Sequence, residues 1–131
     1  MQKTRSELRN IIMTILYQLE IYEERNMDYR VEEIIKDNIE IESDFVNSVV
    51  NGVRSNLVLL DTLANKYMNN WTIDRIDKLG ANILRIALYE LKYTDTPDVV
   101  VINEAIELSK KYCDDSVRKI INAVLDKVIR A

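Results

Sequence analysis

The stretch ILRIALYELKYTDTPDVVVINEAIELSKKY, residues 83–112, decides the fold. Leu84, Ala87, Leu88 and Leu91 fall at helical spacing in its first half. Val101, Ile102, Ala105, Ile106 and Ser109 do the same in its second, so each set makes one buried helical face. Pro97, the chain's only proline, stands between them. It lacks an N–H and restricts Thr96 to extended geometry, so the first helix must stop there. Thr96 or Asp98 is placed to cap the second helix, with Asp98 and Glu104 early in it where carboxylates suit the helix dipole.

Working outward, the same periodicity predicts a helix over 4–24, with Leu8, Ile11, Ile12, Ile15, Leu16 and Leu19 as its stripe and Arg5, Arg9 and Gln18 off it. A short helix over 31–38 buries Val31, Ile34 and Ile35. Ser43 or Asp44 caps a segment whose stripe is Phe45, Val46, Val49, Val50 and Val53. The stripe continues through Leu57, Leu60, Leu63, Ala64 and Tyr67 after a break near Ser55. Thr72 is the expected cap of one long helix over 73–93, and a last helix over 115–129 buries Val117, Ile120, Ile121, Val124, Leu125 and Val128. Trp71 and Tyr67 read as core anchors. The sum is an all-α domain, a compact bundle of six or seven helices with short connections.

Two glycines and one proline among 131 residues agree with that class, and 47% hydrophobic residues supply its core. Charges interrupt every apolar run, so no membrane span is expected. The start shows no basic-then-apolar leader pattern, and Cys113 is the only cysteine, so the expected location is the reducing cytoplasm. There is no histidine, which removes imidazole-based nucleophile activation and the usual nitrogen ligand for metals. No phosphate-binding glycine loop, HExxH or EF-hand pattern appears. Accordingly no catalytic residue, metal or cofactor is expected, and the chain reads as a non-enzyme. The net charge of −4 is uneven: residues 20–44 hold ten acids against Arg25, Arg30 and Lys36, a net −7 that leaves +3 elsewhere. Fields are screened within about 10 Å, so an acidic segment and an RNA-binding face can coexist.

Several separated motifs occur in order: ILYQLE at 15–20 after Arg9, WTIDRI at 71–76, LRIALYEL and INEAIELSK around the proline turn, and KIINAVLDK at 119–127. Together they resemble the transcription antitermination NusB family over nearly the whole chain. The resemblance implies an N-terminal helical subdomain over about 1–70 packed on a C-terminal one over about 71–131. It also implies a non-enzymatic adaptor that binds boxA RNA of ribosomal RNA transcripts with the NusE ribosomal protein, and so keeps RNA polymerase elongating. The alternative is a helical protein–protein interaction module of the same fold that has lost most RNA binding.

Three surfaces carry those expectations. Lys3, Arg5 and Arg9 are the first; Arg5 and Arg9 are four apart, so a helix puts them on one face that could straddle phosphates. On residues alone a solvated helix start is the favoured reading, and it is the resemblance that implies RNA contact. Lys111, Tyr112, Arg118 and Lys119 form the second, a cationic turn with an aromatic for stacking, or else ordinary helix-end charge. Cys113 here replaces the family's usual glycine and Ile120 its usual Phe. The third is a NusE-facing surface with Tyr17, Asp74 and Arg85, where Gly80 and Ala81 replace an expected acid–base pair. From the residues themselves Arg85 and Glu90 read first as structural ion-pair formers. A homodimer through the basic first-helix surface would mask the RNA face.

Overall fold

Thr4 starts the chain's first helix with a reciprocal cap. Its hydroxyl accepts from the Glu7 N–H at 3.1 Å, while the Glu7 carboxylate accepts from the Thr4 N–H at 2.9 Å. The backbone hydrogen bond to Thr4 holds the Glu7 carboxyl below its ordinary range. The structure, a computed structural model, describes residues 2–131. Helix α1 (Arg5–Glu24) is followed by α2 (Val31–Asn38), α3 (Asp44–Ser55), α4 (Leu57–Tyr67), a single 3-10 turn (Ile73–Arg75), α5 (Lys78–Tyr93), α6 (Asp98–Tyr112) and α7 (Asp115–Arg130). Seven α-helices among the described residues meet the expectation of an all-α bundle.

Helix α1 ends on Asn26, whose φ of 54° is left-handed. The Asn26 N–H bonds Glu23 O and the Met27 N–H reaches back to Tyr22 O, so the last-turn carbonyls are satisfied without a glycine. Helix α5 is the axis of the molecule. Every residue from Gly80 to Leu88 is buried, and α1, α3, α4, α6 and α7 all pack on it. One continuous core results, from Leu8, Ile12 and Leu19 of α1 through Leu84 and Leu88 to Ile121 and Leu125 of α7.

The structure corrects four local expectations. Segment 73–93 is not one helix: the buried Ile73 and Ile76 turn the chain inward, and Asp77 caps α5 by accepting the Gly80 N–H at 3.2 Å. The Thr72 hydroxyl instead donates to Asp74. Neither Thr96 nor Asp98 caps α6. Pro97 is its N-cap, and its carbonyl accepts from Val101 N–H at 3.1 Å. Trp71 is 48% exposed on the loop after α4 and anchors no core, whereas Tyr67 is half-buried against it. Cys113 sits at φ −126°, ψ 157°, an extended conformation open to any residue, so the glycine it replaces is not needed here.

Candidate nucleic-acid interface

Arg9 is where the sequence reading and the structure part most clearly. It lies on the α1 turn that carries Leu8, Ile12 and Met13 and is 4% exposed, so it does not share the solvent face of Arg5. Its Nε and Nη2 donate to Glu90 Oε2 and Oε1 at 2.8 and 2.7 Å, and Nη1 lies 3.6 Å from Glu104 Oε1. The bond to Glu90 raises the Arg9 pKa above its ordinary value against the opposing effect of burial. The Ser6 hydroxyl donates to both Glu104 oxygens, at 2.6 and 2.9 Å, and the Thr96 hydroxyl to Glu90 at 3.3 Å. Arg9 thus ties α1 to α5 and α6, and its fork geometry is spent inside the protein. Glu90 is 1% exposed because α5 is covered nearly all round, and a carboxylate so placed demands a buried cation.

Arg85 is likewise turned in, at 6% exposure. It donates to both Asp61 oxygens at 2.8 and 3.0 Å, and to Glu20 and Asn82 at 3.1 Å each. Burial lowers its pKa, but the Asp61 hydrogen bonds and the charges of Asp61 and Glu20 outweigh this and leave it raised. The expectation of Arg85 at a partner surface is therefore corrected in favour of the ion-pair reading. Of the other two partner-face residues, Tyr17 is half-buried and Asp74 exposed. Gly80 and Ala81 are both buried. A Cβ on Gly80 would sit 2.5 Å from Val117 Cγ1, so glycine there permits α5 to approach α7.

The remaining basic candidates stay outside. Lys3, Arg5, Lys111 and Lys119 are exposed, and no carboxylate among the described residues pairs with them. Arg118 is half-exposed and bound to Asp115 at 2.5 Å, which neutralises part of its charge. Tyr112 is exposed, and its hydroxyl donates to Asn10 Oδ1 at 2.9 Å. That bond brings the end of α6 beside the first turns of α1. The groove between them, about 470 Å³, is lined by Ser6, Asn10, Asn103 and Lys111 but also by Glu7, Glu104 and Glu107. The face is therefore mixed in charge, with cations at its rims. Cys113 is half-buried, and burial, then Asp77 and Asp114, push its thiol up to about 12. No three Cys, Asp or Glu among the described residues converge as metal ligands, and no helix there is long and apolar enough to cross a membrane.

The chain is 36% identical over 126 residues to the transcription antitermination protein NusB of Staphylococcus epidermidis, covering 95% of this chain and 98% of that protein. It is 37% identical over 129 residues to the protein of the same name from Staphylococcus aureus, with the same coverage. Among solved structures a T. maritima NusB superposes with a TM-score of 0.83 at 29% identity, over 99% of this chain and 93% of that one. The fold is also that of a NusB crystallised with NusE and double-stranded RNA, with a TM-score of 0.79 at 23% identity, over 99% of this chain and 98% of that one. The NusB family model matches residues 6–130, and on these grounds the chain belongs to the NusB family.

Proposed function

We propose that this protein is a non-enzymatic RNA-binding adaptor of transcription antitermination. It binds boxA RNA of ribosomal RNA transcripts together with the NusE ribosomal protein, and through that pair joins the RNA polymerase elongation complex. The observation that carries the reading is the family match across residues 6–130. The NusB–NusE–RNA crystal of the same fold supports the choice of partners. The RNA face runs over Lys3, Arg5, Lys111, Tyr112 and Lys119, with Arg118 at its edge; Tyr17 and Asp74 belong to the NusE side. Arg9 and Arg85 act as positioning residues, holding α1 and α4 on α5 so that these surfaces keep their spacing. A weak basic face joined to a second protein surface gains affinity by effective concentration, so neither need bind tightly alone.

Fluorescence anisotropy of a labelled boxA RNA, with and without NusE across a salt series, tests this. Binding that strengthens with NusE and falls as salt rises supports it. A complete failure to bind RNA in the presence of NusE would leave the protein–protein module, a reading favoured by the inward turn of Arg9.

A further inference from the structure

We propose that the cleft between the N-terminal segment and the α2–α3 loop is a nucleobase pocket. It takes an unpaired base carrying an exocyclic amino group, presented by single-stranded RNA. This rests on the RNA-binding reading above and adds a contact to it. The cleft measures about 770 Å³, in the size range of small-ligand sites. Leu8 and Ile39 are its buried floor, and Ile41 stands at its edge with 72% of its surface in water.

The wall that matters is Arg5. Its guanidinium lies 4.1 Å from the centre of the Phe45 ring, while the residue as a whole is exposed and lines the cleft. The cation lies over the Phe45 ring and also lines the cleft, where its planar guanidinium can meet a base. Phe45 sits in the first turn of α3 beside the fully buried Val46, and the pinned Arg9 guanidinium lies 5.3 Å from the same ring. The Phe45 ring thus meets both arginines. Bases stack on arginine planes in single-stranded RNA recognition.

Charge sets what enters. Glu40 and Glu42 line the cleft together with Lys3 and Arg5, and Glu42 spends one oxygen on Asn47 at 3.3 Å. Carboxylates in the lining repel a phosphate, while Lys3 and Arg5 attract the backbone of the strand that presents the base. The base goes in and its backbone stays out. Cytosine offers an amino donor to the carboxylates, whereas uracil presents a carbonyl oxygen at the same place. An acidic peptide meets the same repulsion as phosphate, so the mixed lining favours a neutral planar group on an anionic backbone.

Fluorescence anisotropy with 5′-labelled hexacytidine and hexauridine RNA, at fixed low salt, tests the pocket on the full chain. Hexacytidine is expected to bind about tenfold tighter than hexauridine. Arg5→Lys keeps the charge, loses the plane and abolishes most of that preference; Phe45→Leu does the same. Joint Glu40→Gln and Glu42→Gln substitution brings hexauridine up towards hexacytidine. Circular dichroism checks the fold of Phe45→Leu, and Arg5→Lys, an exposed change, decides if that variant unfolds. Equal binding of the two hexamers, or a preference unchanged by Arg5→Lys, overturns the pocket. If boxA RNA still binds in that case, the adaptor function stands; if no RNA binds, both fall.

Discussion

The middle of α5 and its C-terminal end use the same device, an arginine–carboxylate fork, in different surroundings. At the C-terminal end Arg9 and Glu90 are 4% and 1% exposed, and three helices close over them. At the middle of the helix Arg85 is 8% exposed in its side chain, but its partners Asp61 and Glu20 each keep 26% of their surface in water. The first pair is sealed, and Glu90 has no second cation to replace Arg9. The second is a rim: Arg85 has two carboxylates, and water reaches both. Ion pairs of similar geometry thus differ in what their loss costs, because the cost follows the charge left stranded rather than the bond removed.

The most severe way to break the comparison is Arg9→Ala. It strands Glu90 in the core and should cost about 3–5 kcal/mol in urea unfolding. Combining Arg9→Met with Glu90→Leu should recover most of that loss, since no charge is then stranded. Next comes Gly80→Ala at the other end of the helix. Its new methyl meets the stiff, buried Val117 Cγ1, and thermal unfolding should show a loss of about 1–3 kcal/mol. Asp61→Ala follows, at about 1–2 kcal/mol by the same urea assay, because Glu20 still holds Arg85 and solvent screens the remainder. A loss as large as that of Arg9→Ala would sink the distinction between sealed and rim pairs.

Gly52→Ala sharpens the contrast from the side of Tyr89. A Cβ there would lie 2.3 Å from the Tyr89 ring, but that contact is the tip of a half-buried side chain that can swing aside. The gain in helix propensity offsets the displacement, so the net change should stay under about 1 kcal/mol. Smallest at neutral pH is the effect of Cys113 beside the Asp77 cap, 3.5 Å away. Its thiol is pushed up to about 12 from an ordinary 9.0. A raised folded pKa gives a contribution fully present below pH 9 and lost as pH rises towards 12. Alkylation by iodoacetamide at pH 8 should run about a hundredfold slower than in the urea-unfolded chain. Comparable rates would show that Cys113 is not shielded.

Local signals in the sequence were strong. The Val31–Asn38 helix, the Ser43 cap of α3, the break beside Ser55 and the stop before Pro97 all stand where spacing and capping chemistry put them. Long-range pairing was harder to read. Arg9 reads as outward because a charged residue next to an apolar stripe normally faces water, while only the family resemblance puts Arg85 at a partner surface. The partner that turns Arg9 inward lies 81 residues away. LRIALYEL marks Arg85 and Glu90 as ion-pair formers without saying where their partners lie. The cleft beneath Arg5 left no pattern in the sequence, since the N-terminal segment and the α2–α3 loop meet only in the folded chain.

The reach of those contacts also bears on how the chain comes off the ribosome. Ser6 waits for Glu104, 98 positions later, and Asn10 for Tyr112, 102 positions later. During synthesis α1 can coil and meet α2 and α3, yet Arg9 has no counter-ion until α5 has emerged. Its N-terminal face stays unsealed until α6 follows. The last third of the polypeptide closes the first, so a nascent chain interrupted before residue 90 carries an open seam and an unpaired arginine. Chains of that kind are the ones that chaperones and proteases find.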